Sequence, residues 1–328
     1  MFTEADASQI AEKYYGMTMQ ASRLPGEYDA NFHLKSKHGD EFILKISHPD
    51  ESLHIVVMQN TLLQFIENEL FSAPRLLPVL TGELFALHRD QEGKSCYVRI
   101  FTFLPGQLLA NVGEQTPAIL MSLGEQLGYL TTSLNKFHHS AAERYLKWDL
   151  LQSHWIAEHL SQLNQGNDQS CVKYFMQRFT KNTTPELPTL RRSVIHGDVN
   201  DYNIIVSDAL RVSGFIDFGD MVKTATVCEL SIALAYVMLD KPDPLAAAAT
   251  VIKAYHAVFP LQEAELAVLF DLICMRLCVS VVNSALRKQE NPEDAYLVIS
   301  ERPAWQLLKK LHGVSANHAL SCFHAACG

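Results

Sequence analysis

Apolar residues alternate with polar ones over parts of the first third of the chain and recur at helical spacing through most of the rest. Alternation with a period of two is typical of strands, whereas recurrence every three to four residues is typical of amphipathic helices. The alternating runs predict strands at residues 31–34, 41–46, 84–87 and 96–100. The helical pattern predicts helices at residues 8–15, 51–70, 117–134, 148–163, 172–179, 228–239, 246–259, 264–286 and 294–311.

One stretch interrupts the helical pattern, residues 194–220, which reads VIHGDVNDYNIIVSDALRVSGFIDFGD. Short apolar runs between polar turns predict strand, loop, strand, turn and strand. Carboxylate and amide side chains stand at the strand ends, at Asp198, Asn203 and Asp217. Phosphoryl transfer uses such a set, because one carboxylate orients the attacking hydroxyl while an amide and a second carboxylate hold Mg²⁺ against the nucleotide phosphates. A β-hairpin with polar turns is the alternative without chemistry.

The spacing within this stretch matches the protein-kinase catalytic loop, H-R-D-x-x-x-x-N followed by D-F-G. Four residues separate Asp198 from Asn203, and Asp217 begins Asp-Phe-Gly. The match predicts Asp198 as the catalytic base, and Asn203 and Asp217 as the Mg²⁺ ligands. Gly197 stands where protein kinases carry the arginine. His196 is predicted to orient the loop through hydrogen bonds rather than to move protons.

A hairpin early in the chain, turned at His38-Gly39-Asp40, carries Lys45 in its second strand. In the kinase template, backbone N–H groups of such a turn cover the nucleotide phosphates and the lysine reaches them. The apolar neighbours of Lys45 predict that it is buried beside a charged partner. Gln59, central in the following helix, stands where kinases place the glutamate that pairs with this lysine. Both residues are therefore candidate nucleotide-binding residues.

The run Phe101-Thr102-Phe103-Leu104-Pro105-Gly106 changes the composition of the chain. We expect a hinge here, with Phe101 and Phe103 in the segment whose backbone takes the nucleotide base; a plain linker is equally compatible. The hinge predicts a nucleotide-binding N-lobe at residues 1–104 and a C-lobe with the catalytic loop and substrate site at 105–328. The predicted fold class is α+β, a protein-kinase-like two-lobe fold. Its N-lobe has a small antiparallel sheet with one helix, and its larger C-lobe is mainly helical.

Three further acids, Asp201, Asp220 and Glu229, lie in or next to the predicted catalytic loops. Acidic neighbours suit the amine of a cationic substrate, so all three are candidate substrate-binding residues. Glu229 has a second interpretation, because it stands at the start of a predicted helix directly after the Asp-Phe-Gly loop. There it would hold the backbone of the catalytic loop instead of a ligand.

The chain has 328 residues, 48% hydrophobic and 19% charged, with a formal net charge of −9. This charge argues against nucleic acid as a partner, because phosphate contacts need clustered Lys and Arg, and it gives no attraction to an anionic membrane. The longest apolar region, residues 266–286, contains Asp271 and Arg276 and predicts a buried helix rather than a membrane span. Seven scattered cysteines without a recognisable secretory leader predict free thiols and a cytoplasmic protein.

Taken together, the motifs resemble the phosphotransferase enzyme family that includes aminoglycoside phosphotransferases and choline kinases. Within it, the runs PGEYDANFHL, EFILKIS, VRIFTFLPG, WDL, HGDVNDYN and IDFGDM resemble the hydroxylysine kinases. The resemblance implies a Mg²⁺-dependent kinase that transfers the γ-phosphate of ATP or GTP to the hydroxyl of an amino acid or amino alcohol, with 5-hydroxylysine favoured. An aminoglycoside, homoserine or choline is the alternative acceptor, and the oligomeric state stays open.

Two other functions fit parts of the pattern. A non-catalytic nucleotide-binding pseudokinase would explain Gln59 in place of glutamate, but the intact Asp198, Asn203 and Asp217 argue against it. A protein kinase would need an arginine after His196 and an A-P-E segment beyond the Asp-Phe-Gly loop, and the sequence has neither.

Overall fold

The computed structural model describes residues 2–26, 28–164, 166–290 and 301–328 of the chain. They divide into two compact units. The first unit runs to Asn68 and resumes at Ser72–Pro105, and the second takes Glu69–Phe71 and Gly106–Gly328. The first unit is built on an antiparallel sheet and helices dominate the second, so the chain is an α+β protein, as predicted.

The sheet of the first unit explains why the alternating pattern appears early in the sequence. Its strands are β1 (Gln20–Leu24), β2 (Ala30–Lys35), β3 (Glu41–Ile46), β4 (Leu76–Leu77), β5 (Ala86–Arg89) and β6 (Ser95–Thr102). The described strands pair in the antiparallel order β1-β2-β3-β6, and both β4 and β5 pair with β6. Phe32 and Leu34 of β2 and Leu44 and Ile46 of β3 are buried, because residues two apart on a strand share one face.

In the part of the first unit that the structure describes, the helices are α1 (Glu4–Tyr15) and α2 (Leu53–Phe65). α1 begins with a capping box, in which the side chains of Thr3 and Asp6 each accept a hydrogen bond from the other residue's backbone N–H. It ends at Gly16, whose φ of 67° is the left-handed conformation that closes many helices. The apolar face of α1 joins the core of the sheet.

Among the described residues, the second unit contains seven α-helices and two small antiparallel sheets. The helices are α3 (Pro117–Leu134), α4 (Asn167–Arg178), α5 (Val227–Val237), α6 (Pro244–Val258), α7 (Glu263–Glu290), α8 (Glu301–His312) and α9 (Ala316–Cys327). The strands are β7 (Gln107–Leu108), β8 (Arg192–Ile195), β9 (Ile204–Val206), β10 (Val212–Phe215) and β11 (Val222–Ala225). β9 pairs with both β7 and β10, and β8 pairs with β11.

α7 is the buried apolar helix predicted at residues 264–286. Its side chains are mostly buried from Leu266 to Val282, and the two charged residues in that stretch, Asp271 and Arg276, form ion pairs. Asp271 accepts hydrogen bonds from Arg178 Nε at 2.8 Å and from Asn182 Nδ2 at 3.0 Å. In the part of the chain that the structure describes, no helix has the length and apolar character needed to cross a membrane.

Several predicted helices differ in extent or type; α1 and α4, for example, begin four and five residues before their predicted starts at residues 8 and 172. α2 ends at Phe65 rather than at residue 70, because apolar residues such as Ile66 stay buried after the helix has ended. Leu150–Gln162 forms a 3-10 helix, whose period is too close to that of an α-helix for the apolar pattern to separate them. Residues 294–300 of the last predicted helix lie outside the described residues, and α8 covers the rest. The seven cysteines are free thiols, as predicted.

Candidate active site

The stretch at residues 194–220 folds as the predicted strand, loop, strand, turn and strand. β8 leads into His196-Gly197-Asp198, and β10 leads into Asp217-Phe218-Gly219-Asp220. Two pairings hold the loops in place, Ile195 opposite Val222 and Phe215 opposite Ile204. The ends of four short strands therefore meet, with the catalytic-loop motif and the Asp-Phe-Gly motif side by side.

Gly197 lies where these two loops touch. Its φ is +83°, a backbone conformation that residues other than glycine rarely adopt. A Cβ on Gly197 would stand 2.3 Å from the backbone oxygen of Asp220. The arginine of the protein-kinase template could not replace this residue without moving one of the loops.

His196 orients the catalytic loop, as its position in the motif predicts. Its side chain is fully buried, and Nδ1 accepts the backbone N–H of Asp198 at 3.3 Å. The proton therefore resides on Nε2, which donates to the backbone oxygen of Ile216 at 3.0 Å. Burial lowers the pKa of His196, so the imidazole is neutral in this tautomer. One ring thus ties the catalytic loop to the segment that precedes Asp217.

Glu229, in the first turn of α5, holds the same loop from the other side. Its Oε2 accepts the backbone N–H of His196 at 2.5 Å. Its side chain is fully buried, and burial raises its pKa to about 7, while the backbone N–H groups of His196 and Gly197 both act to lower this pKa. Of the two roles considered for Glu229, this geometry supports anchoring the loop and gives no support to a contact with substrate.

Asp198 is held on both of its carboxylate oxygens. Oδ2 accepts the side-chain amides of Asn200 at 2.8 Å and Asn203 at 2.9 Å. Oδ1 accepts Nη2 of Arg276, a residue of α7, at 2.6 Å. The Asp198 side chain remains 23% exposed. It is therefore a fixed carboxylate that solvent, and hence a ligand, can reach.

The two residues predicted to bind Mg²⁺ offer oxygen ligands, which this hard cation prefers. The amide nitrogen of Asn203 donates to both Asp198 O and Asp198 Oδ2 at 2.9 Å, so its Oδ1 is the side-chain atom that could bind a metal. Asp217 is exposed and has a φ of 60°, an uncommon left-handed value for a residue with a side chain. Within the described ranges no three acidic, histidine or cysteine side chains converge as a metal site. A site here would use one amide and one carboxylate, with the phosphates as further ligands.

Asp201 and Asp220, predicted to bind substrate, are half-buried acids close to Asp198. Burial and the charge of Asp198 raise the pKa of Asp201 to about 6. Burial and the charges of Asp198 and Asp217 raise the pKa of Asp220 to about 7, and those acids therefore belong to one electrostatic cluster. Asp201 Oδ1 is buried without a hydrogen-bond partner among the described residues.

In the first unit, Lys45 is half-buried rather than buried, and it lies beside a charged partner. Its Nζ lies 3.4 Å from Asp29 Oδ2, and Asp29 also accepts the backbone N–H of His48 at 3.0 Å. Asp29 directly precedes β2, and the opposite end of β3 adjoins the turn at His38-Gly39-Asp40. Five residues of strand span about 16 Å. The connection near Lys45 is therefore the one between β1 and β2, and not the turn expected from sequence.

The remaining nucleotide-binding candidates also lie in the first unit. Gln59 Oε1 accepts Nη1 of Arg99, a buried residue of β6, at 2.7 Å. Phe101 is buried in β6, where it pairs with Ile43 and Leu76. Phe103 follows β6, is 38% exposed, and contacts His33 with the two rings tilted by 40° and their centroids 5.1 Å apart.

Sequence reasoning missed several residues that contact the candidate residues, among them Asp29, Asn200 and Arg276. Asp29 and Asn200 lie in loops, where their spacing had no template. Arg276 was noted as a charge inside the apolar run at residues 266–286, and that position was the only signal it gave. A buried arginine in a long apolar helix needs a partner, which is reason enough to look for an acid at a functional site.

The two-unit α+β architecture and the paired loops of the second unit define the class of protein, a kinase-like phosphotransferase. The chain belongs to the phosphotransferase enzyme family, whose family model matches residues 20–267. It is therefore a kinase of small molecules with a hydroxyl group as acceptor, as the motifs predicted.

Relatives of known activity match almost the whole chain. The hydroxylysine kinase of Danio rerio is 30% identical over 325 residues, which cover 94% of this chain and 91% of that protein. The hydroxylysine kinase of Mus musculus is 29% identical over 337 residues, with 95% and 89% covered. The resemblance found in the motifs is confirmed.

Solved structures share the fold at low sequence identity. An amicoumacin kinase in complex with AMP-PNP and Ca²⁺ has a TM-score of 0.72 at 16% identity, with 97% of both chains covered. A choline/ethanolamine kinase family protein from Mesorhizobium loti has a TM-score of 0.64 at 13% identity, with 98% and 99% covered. These likenesses confirm the predicted protein-kinase-like fold.

Proposed function

We propose that this chain is a Mg²⁺- and nucleotide-dependent kinase that phosphorylates the hydroxyl of a small amine or amino acid, with 5-hydroxylysine as the favoured acceptor. The observation that carries the proposal is Asp198, a carboxylate fixed on both oxygens that is still partly exposed. The full-length similarity to hydroxylysine kinases supports the acceptor class.

In this proposal, Asp198 accepts the hydrogen bond of the acceptor hydroxyl and takes its proton as that oxygen bonds to the γ-phosphorus. The bond from the γ-phosphorus to the bridging oxygen breaks, and the nucleoside diphosphate leaves with the electron pair. Most of the rate would come from orientation and charge neutralisation, because the transition state is loose and needs little covalent help. The rigid hold on Asp198 supports that view.

Asn203 and Asp217 are the proposed Mg²⁺ ligands. The ion, when bound, supplies positive charge against the β- and γ-phosphate oxygens. The chain contributes the orientation of the ligands, since the Asn203 amide is locked by Asp198 and His196 ties down the segment before Asp217.

The nucleotide itself is assigned to the N-terminal part of the chain, residues 1–104. Lys45 would hold the phosphates, and the backbone around Phe101 and Phe103 would take the base. The substrate site belongs to residues 105–328, where Asp201 and Asp220 would face the acceptor amine. A cationic amine would stabilise the ionised form of these acids, whose pKa the surroundings raise.

The decisive experiment offers 5-hydroxylysine, homoserine, choline and an aminoglycoside, each with ATP and with GTP in parallel, and detects phosphorylated product by mass spectrometry. Lysine is the matched control, because it differs from 5-hydroxylysine only by the hydroxyl. We expect Mg²⁺-dependent product from 5-hydroxylysine and none from lysine. Product from choline or the aminoglycoside alone would overturn the acceptor assignment. Nucleotide binding without any product would favour the pseudokinase.

A further inference from the structure

Arg276 is a buried cation in the middle of the apolar helix α7. Its side chain is 2% exposed. Its guanidinium carbon lies 4.7 Å from the ring centroid of Trp148 and 5.4 Å from that of Tyr236. Two aromatic rings stabilise a cation by their electron-rich faces, and a planar guanidinium fits them better than an ammonium does. The position is therefore built for arginine.

The hydrogen bonds of Arg276 are concentrated on one nitrogen. Nη2 donates to Asp198 Oδ1 at 2.6 Å and to the hydroxyl of Tyr236 at 3.1 Å. Nε and Nη1 are buried without a hydrogen-bond partner within the described residues. Buried donors left unpaired cost stability, so Arg276 is not optimised as a structural ion pair. What it does achieve is a short charge-assisted bond to Asp198.

The distribution of donors on Asp198 identifies the oxygen that remains available. A carboxylate oxygen has two lone pairs. Oδ2 already accepts two amides, those of Asn200 and Asn203, whereas Oδ1 accepts only Arg276. The remaining acceptor position is therefore on Oδ1, the oxygen that Arg276 holds.

We propose that Arg276 is a positioning residue for phosphoryl transfer, which fixes Oδ1 of Asp198 toward the acceptor hydroxyl and offsets the negative charge gathered around it. That charge is substantial, since Asp201, Asp217 and Asp220 lie in the same cluster and the nucleotide would add its own. Arg276 also counters the rise in the pKa of Asp220. The inference rests on the proposed function and adds a residue that the kinase motif does not contain.

The test compares Arg276→Met, Arg276→Lys and Tyr236→Phe with the wild type. In Arg276→Met we expect kcat to fall roughly 10- to 100-fold, the cost of a misplaced catalytic group, with the KM for nucleotide nearly unchanged. Arg276→Lys keeps the charge but not the planar fork, so its kcat should lie between those of Arg276→Met and wild type. Tyr236→Phe removes one hydrogen bond to Nη2 and should lower kcat roughly two- to tenfold.

Arg178→Met is the matched control. Arg178 forms another ion pair to α7, with Asp271 at 2.8 Å, away from the catalytic loop. Its loss should lower the melting temperature and leave kcat unchanged in the folded protein.

Folded Arg276→Met with a kcat within threefold of wild type would overturn the proposal. If Arg276→Met does not fold, wild-type kcat in both Arg276→Lys and Tyr236→Phe would overturn it, and reduced kcat in both would support it. If wild type phosphorylates no acceptor, the proposed function fails separately. The same variants are then compared by hydrolysis of the nucleotide, with water in place of the acceptor. Equal rates, or no hydrolysis by wild type, would end the inference as well.

Discussion

Asp198 accepts hydrogen bonds from Asn200, Asn203 and Arg276, which between them hold both oxygens. Two of these donors come from the loop itself, and the third comes from a helix 78 residues further along the chain. A carboxylate held in this way has little orientational entropy left to lose when a substrate binds. The arrangement favours positioning over proton transfer as the source of rate.

Asp198→Asn tests the assignment of the base. The substitution replaces one oxygen by an NH₂ group, which must face either Arg276 or the two asparagine amides, donors in both cases. We expect kcat to fall roughly 10²- to 10⁴-fold, the usual contribution of a catalytic base. Nucleotide affinity, measured by equilibrium titration, should persist. Turnover close to that of wild type would exclude Asp198 as the base.

Gly197→Ala tests the contact between the two loops. Its Cβ would meet the Asp220 backbone at 2.3 Å, at a φ of +83°. We expect a loss of about 1–3 kcal/mol in the free energy of unfolding, together with reduced kcat. Chemical denaturation and steady-state kinetics measure the two effects.

Gly39→Ala is the control, because Gly39 has a φ of +94° but nothing within 4 Å of its added Cβ. Gly39→Ala should lose only the unfolding free energy that a positive φ costs an alanine, and its kcat should equal that of wild type. If both variants lose stability equally and both keep their activity, close contact at Gly197 does not matter for catalysis.

At the scale of elements, the sequence predicted the strands and helices whose burial follows a regular pattern. The strands β2 and β3 each bury one face, and the helix α7 is buried on most of its surface, so their apolar residues recur as predicted. The end of α2 was not predicted, because apolar residues stay buried past the end of the helix. The 3-10 helix at Leu150–Gln162 was predicted as an α-helix, because the apolar pattern does not distinguish the two helix types. Asp198, Asn203 and Asp217 could be predicted as site residues because short loops fix their spacing. Arg276 could not, because its partner is distant in sequence.

α5 is coupled to the catalytic loop through Glu229, and this coupling predicts a dependence of stability on pH. Burial raises the pKa of Glu229 from an ordinary 4.5 to about 7, and the charge of Asp198 adds to the rise. The folded chain therefore binds this proton more tightly than the unfolded chain. The resulting stability is complete below pH 4.5 and is lost as the pH rises through 7. Its size is on the order of 3 kcal/mol.

Glu229→Gln removes the titration while keeping an oxygen that can accept the backbone N–H of His196. We expect the unfolding free energy of wild type to fall relative to that of the variant between pH 5.5 and 8, as measured by urea denaturation. A difference in unfolding free energy that is the same at every pH does not report on the titration of Glu229, because the buried amide of the variant adds its own cost at every pH. Parallel curves for the two proteins would show that Glu229 does not titrate in this range.

At the scale of the whole molecule, the family match, the relatives and the fold all indicate phosphoryl transfer. The proposed Mg²⁺ ligands can be tested directly, by measuring how much the metal stabilises the folded chain. A ligand that binds only the folded chain stabilises it by RT ln(1 + [L]/Kd), about 2.7 kcal/mol at a hundredfold excess over Kd. Mg²⁺ with nucleotide should therefore raise the melting temperature by several degrees more than nucleotide alone.

Asp217→Asn should abolish the Mg²⁺-dependent part of this rise and keep the part due to nucleotide alone, because the amide replaces the charged ligand without changing its size. Asp208→Asn, an exposed acid in the turn between β9 and β10, makes the same charge change away from the proposed ligands and should behave as wild type. An unchanged Mg²⁺ response in Asp217→Asn would remove Asp217 from the metal site. Loss of the Mg²⁺ response in both variants would show that the response depends on the net charge of the unit. The two substitutions remove the same charge, so a difference between them is expected only if Asp217 is a direct ligand.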